Sequence, residues 1–152
     1  MSKLPLRYPS PMPSIGACRA ALSNSTPPPK ILPVLQKMKA TYVYWFEHYS
    51  NIPKTHRYTL ALKIDGILVE IIEMMGAASF ASPKDKLPFL RTAIRKLDVV
   101  KILLMVLWET KSLENKKYVV ISEKLNEVGK MLGGWHGQIL KQNSPAKSAG
   151  EE

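Results

Sequence analysis

Cysteine is nearly absent: Cys18 is the only one among 152 residues, so the chain cannot form a disulfide with itself, and a reducing cytoplasm is the natural compartment. Long apolar runs are missing too. Asp65, Glu70 and Glu73 interrupt one apolar stretch and Lys101 interrupts another between Val99 and Trp108, which excludes a membrane span. The first thirty residues carry Lys3 and Arg7 without a continuous apolar stretch and do not read as a secretory signal. Catalytic signatures are equally sparse. His48, His56 and His136 have no cysteine or carboxylate at metal-ligand spacing, and there is no glycine-rich phosphate loop or nucleophile elbow. No catalytic residue, metal, cofactor or small-molecule substrate is therefore expected. The pairs Glu70 with Glu73 and Glu123 with Glu127 share helix faces and have the residue type for acid and base work. Nearby Lys124 and Lys130 fit solvated salt-bridge faces better.

Acid is the scarce charge. Twelve Asp and Glu against 22 Lys and Arg leave a formal net charge of +10 and a pI near 9.7. That balance favours an anionic partner, with RNA or DNA first; a solubilising surface charge without a ligand is the competing reading.

What is present is helix pattern. Residues 1–30 hold seven of the twelve prolines, four basic residues and no acid, and read as a flexible basic leader, either a nucleic-acid contact or an extension without a role. Residues 142–152 read as a flexible polar tail. Between them, residues 31–141 read as four helices. The first runs from about Ile31 to Tyr49 and ends before Asn51 and Pro53. The second covers about Lys54 to Phe80, with Leu60, Ile64, Ile67, Ile71, Met74 and Ala78 three or four apart. Ser82, Pro83 and Asp85 form a helix start, with Pro88 placing the regular part of the third helix a turn later. Its stripe is Leu90, Ile94, Leu97, Leu104 and Trp108, with Lys101 in the one missing place. The fourth, about Asn115 to Leu140, carries Tyr118, Ile121, Leu125, Val128, Leu132, Trp135 and Ile139 without a break. No segment alternates as a strand does. The expected fold is all-α, an antiparallel up-down four-helix bundle.

Two features go beyond a monomeric bundle. Every residue from Val99 to Trp108 except Lys101 is apolar, so this helix is hydrophobic around its circumference and calls for a covering partner, expected to be a second copy. Leu104 and Trp108 are its packing residues. Gly129, Gly133 and Gly137 repeat every four residues and suggest a close helix approach; a kink or helix end at Gly133 and Gly134 is the alternative.

The basic residues are best organised on the third helix, where Lys84, Arg91 and Arg95 share a face and Lys86, Lys96 and Lys101 flank it. Between Pro83 and Lys111 seven basic residues meet three acids, and arginines on a rigid helix suit phosphate contact with little sequence readout. Arg57 beside Tyr58 offers a guanidinium and an aromatic that could stack on a base; packing of Tyr58 at the bundle end fits equally well.

The segments Pro53 to Leu60, Leu87 to Arg91, Arg95 to Leu97 and above all Val128-Gly129-Lys130-Met131-Leu132-Gly133-Gly134-Trp135 resemble the accessory variability determinant (Avd-like) proteins of diversity-generating retroelements. The resemblance spans about Leu32 to Leu140. The leader lies outside the family pattern, and Asn126 stands where that pattern places an acid. The resemblance implies a basic homopentamer of four-helix bundles that binds the retroelement reverse transcriptase and its template RNA, with cDNA as a further contact. Such a protein supports mutagenic cDNA synthesis and retrohoming while the polymerase supplies the chemistry. A helical bundle of the kind encoded in ribosomal RNA intervening sequences, or a general RNA- or DNA-binding chaperone, is the alternative.

Overall fold

The structure, a computed structural model, describes residues 32–144; the leader and most of the polar tail lie outside the described residues. Within them the chain forms five helices and no strand: α1 (Pro33–Tyr49), α2 (Lys54–Arg57), α3 (Leu60–Phe80), α4 (Pro83–Glu109) and α5 (Asn115–Gln142). Packing runs in a ring, α1 on α3, α3 on α4, α4 on α5 and α5 back on α1, with α3 against α4 the most extensive interface. The core inside it is almost wholly aliphatic, with Met38, Trp45, Ile64, Leu68, Leu97 and Leu125 among its fully enclosed members. Burial of side chains of this size, roughly 1.5–3 kcal/mol each, drives the assembly of the ring.

One polar group ties α1 to α3. The Asp65 carboxylate accepts hydrogen bonds on Oδ1 from Tyr42 Oη at 2.9 Å and from Trp45 Nε1 at 3.1 Å. The ion pairs Lys37–Glu127 and Lys96–Glu70, each 2.9 Å, join α1 to α5 and α4 to α3. Both are largely exposed and contribute little.

The stretch read as one helix from Lys54 to Phe80 is broken. The single turn α2 ends at Tyr58, and Thr59 (φ −121°, ψ −90°) leaves the helical region before α3 begins. In a continuous helix the Arg57 carbonyl would accept from the amide four residues on; here it accepts from Tyr49 Oη at 2.7 Å. The Arg57 guanidinium in turn donates to the carbonyls of Ser50, at 2.8 Å, and Ile52, at 3.0 Å. The elbow between α1 and α3 is thus knotted by one tyrosine and one arginine.

The start of α4 also differs from expectation. The helix runs unbroken from Pro83 through Pro88, whose ring lies on the exposed side, where water can serve the Lys84 carbonyl left without its amide donor. Ser82 occupies the N-cap, but its hydroxyl donates to Asp85 Oδ2 at 2.9 Å instead of capping a backbone amide. The core stripe of α4 is Leu90, Ala93, Leu97, Val100, Leu104 and Leu107; Ile94 and Lys101 are only half-buried and Trp108 lies at the surface. Val100 therefore fills the place that Lys101 seemed to vacate.

The fourth predicted helix is α5, which continues through Gly133 and Gly134 without a kink or an end. Ile121, Leu125, Val128, Leu132 and Ile139 are buried, whereas Tyr118 and Trp135 are half-buried. Between α4 and α5, Lys111 adopts a left-handed φ of 65°. The amides of Lys111 and Ser112 bond back to the carbonyls of Trp108, at 2.9 Å, and Leu107, at 3.0 Å, the pairing of a Schellman stop.

Candidate nucleic-acid interface

A helix packed against neighbours on two sides of a ring keeps one outer face, and on α4 that face is divided. Its N-terminal half presents Lys84, Arg91 and Arg95, all exposed and without an ion-pair partner among the described residues. At about 100° per residue their spacings of seven and four hold them within roughly 40° of one line, over about 16 Å of helix. Asp98 follows, and beyond it Val99, Ile102, Met105 and Val106 are exposed, Ile102 to 60%.

The other basic residues singled out in the sequence do not join this face. Lys96 turns to α3 and is held by Glu70. Lys86 turns inward, donating to the Ala78 carbonyl at 2.7 Å and lying 5.9 Å from the centre of the Trp135 ring, a cation–π contact that covers the half-buried indole. Lys101 turns to the opposite flank, towards α5, where its Nζ lies against Gly129. Arg57 is engaged in the elbow by its two carbonyl contacts, which use two of the five guanidinium donors and hold it away from the α4 face. Its neighbour Tyr58 is 63% exposed and does not pack at the bundle end.

Among the residues assigned to packing, Leu104 is in the core, whereas Trp108 remains 37% exposed. The Trp108 indole stacks on Tyr118 with centroids 5.1 Å apart and donates to Asn115 Oδ1 at 3.1 Å. The glycine stripe is a close approach at one position only. A Cβ on Gly129 would stand 3.3 Å from Leu97 Cδ2, while Gly133 and Gly137 have nothing within 4 Å. Among the described residues, Gly133 therefore makes no close helix approach.

Acid–base chemistry finds no enclosure. Glu70 and Glu127 sit in exposed ion pairs with Lys96 and Lys37 of neighbouring helices, not with the lysines near them in sequence, and Glu73 and Glu123 face solvent. His48 and His56 are paired through Nδ1 with the Tyr44 carbonyl at 2.8 Å and Ser112 Oγ at 2.7 Å, and no three His, Cys, Asp or Glu among the described residues converge to hold a metal. Burial raises the tyrosines of α1 above their ordinary value: Tyr42, with Asp65 adding to the shift, Tyr44, and Tyr49. These shifts belong to packing. Among the described residues no helix is long and apolar enough to cross a membrane.

Two surfaces were not read from sequence. One is apolar and exposes Val43 and Phe46 on α1, Phe46 to 66%, with Leu62 and Val69 on α3. These residues stand off the main core stripes, and a second apolar stripe was the available signal. The other is the groove where Lys101 meets Asn126, Gly129 and Lys130, residues brought together only by the α4–α5 packing.

No curated protein matches the chain. The family model described as bAvd-like matches residues 32–139, which takes in all five helices up to the last turn of α5. Covering well over half of the sequence, that match shows that the chain belongs to the bAvd-like family, and is an Avd-like protein.

Proposed function

We propose that the protein is the non-catalytic accessory factor of a diversity-generating retroelement in the cytoplasm, binding the reverse transcriptase together with its template RNA to support mutagenic cDNA synthesis and retrohoming. The observation that carries this reading is a Lys84, Arg91 and Arg95 face, unpaired among the described residues, on a helix of a bAvd-like bundle. Such a face meets phosphates by charge and leaves sequence readout to other contacts.

In this reading the chain is an up-down four-helix bundle that assembles into a homopentamer. The connection of two residues between α3 and α4 and the short turn between α4 and α5 favour antiparallel neighbours. Two apolar surfaces that are not copies of each other, one on α4 and one on α1 and α3, suit head-to-tail contacts, which form a ring where the rotation between copies closes. Assembly would repeat the basic face around the ring.

The test is template-primed cDNA synthesis by the retroelement polymerase with and without the full chain, alongside light scattering of the chain alone. Dependence of cDNA yield on the protein, with a fivefold subunit mass, is the expected result. Equal synthesis in its absence defeats the reading.

A further inference from the structure

The groove between α4 and α5 holds a cation that makes no ion pair among the described residues. Lys101 is half-buried, and its Nζ lies over α5 at Gly129, 3.4 Å from where a Cβ would stand. Lysine stems often lie on apolar surface, but the ammonium at the tip ends in water or on a carboxylate. Lys101 makes no ion pair among the described residues. Asp98 stands one turn away on the same helix and lines the same groove, yet the ammonium rests over the glycine instead of closing on it. The groove measures about 360 Å³, is floored by Leu97 and Gly129, and is rimmed by Lys101, Asn126 and Lys130 with Asp98 as its one acid.

We infer that this groove seats a phosphate group. Lys101 and Lys130 supply two positive charges against the single charge of Asp98, and the Asn126 amide adds a neutral donor. An ammonium binds phosphate as a point charge and needs no fixed fork geometry, which suits lysines approaching from two helices. Gly129 keeps the floor open, because a Cβ there would already stand 3.3 Å from Leu97 Cδ2 and 3.4 Å from the Lys101 ammonium, and a longer side chain would extend into the groove. Lys101 lies about 9 Å along α4 from Arg95, so a strand crossing the basic face reaches the groove. The source of the phosphate rests on the RNA-binding reading above: it is then a backbone phosphodiester, and free phosphate is the other source of the same chemistry.

The experiment uses the full chain, as wild type, Lys101→Met and Lys101→Arg, with helical circular dichroism confirming that each variant folds. Inorganic phosphate is titrated at constant ionic strength while the Gly129 backbone amide and the Asn126 side-chain amide are followed by NMR, and the salt slope of RNA binding is measured in parallel. Phosphate should shift both resonances in the wild type and in Lys101→Arg but not in Lys101→Met. The salt slope should fall by about 0.7 in Lys101→Met on single-stranded RNA, the value for one neutralised phosphate. A phosphate shift with an unchanged slope supports the seat and assigns it to free phosphate; a lowered slope alone assigns it to the RNA backbone. Absence of both effects overturns the inference. If the wild type binds no RNA, the RNA reading fails and the phosphate titration alone decides the groove.

Discussion

The outer face of α4 changes character at Asp98. On one side Lys84, Arg91 and Arg95 stand in water without ion-pair partners among the described residues; on the other Val99, Ile102, Met105 and Val106 are also exposed and wholly apolar. The two halves obey different physics. Solvated guanidinium and ammonium groups are comfortable in isolation and gain a ligand only when phosphate displaces their counterions. An apolar stripe gains from cover at any salt concentration. One helix face can therefore serve assembly and anion binding separately, and substitutions in one half should leave the other's readout intact.

The largest expected effect comes from breaking the apolar half. Ile102→Asp places a charge in the contact proposed between copies and should reduce the scattering mass from that of the proposed pentamer to that of a monomer while helical circular dichroism stays unchanged; an unaltered mass would remove α4 from the interface. Arg91→Ala with Arg95→Ala should leave the mass alone and lower the salt slope of single-stranded RNA binding by about 0.7 for each phosphate no longer neutralised. An unchanged slope would place the RNA elsewhere. As a control remote from both halves, Asp65→Ala strips the acceptor from Tyr42 and Trp45 and should cost about 1–3 kcal/mol in denaturant unfolding without moving the salt slope.

Alkaline pH tests the same interior. Tyr42, Tyr44 and Tyr49 have raised pKa values, so the fold favours their protonated forms. Their contribution is complete below the unfolded tyrosine value of about 10 and is lost as pH climbs through the raised folded values. The melting temperature should fall over that window, and less steeply in Tyr42→Phe. The smallest effect is expected at the α4 stop, where Lys111→Gly relieves a left-handed lysine and should raise stability by about 1 kcal/mol with neither mass nor slope altered.

The four long helices were legible in the sequence because apolar residues three and four apart leave a phase that water fixes. On α4 that phase was lost: between Val99 and Trp108 no polar face marks the outside, so the stripe reads one position away from Val100 and Leu107. The break at Thr59 was hidden for another reason. It depends on Tyr49 reaching the Arg57 carbonyl from the preceding helix, and no local propensity encodes that contact. The basic face on α4 was legible as spacing along one helix. Lys86 and Lys96 do not stay on its flanks because their partners, Ala78 and Glu70, belong to α3. The glycine repeat showed its period but not its neighbours; of the three, only Gly129 has one among the described residues.

The ring of contacts has a kinetic consequence. The α3–α4 and α4–α5 interfaces join segments adjacent along the chain, and α3 and α4 are separated by a connection of two residues, so little loop entropy opposes their docking. The α1–α5 interface, marked by Lys37 and Glu127, joins the two ends of the described chain and closes the longest loop. Substitutions at the α3–α4 interface should therefore slow folding, whereas those at the α1–α5 seam should mainly hasten unfolding.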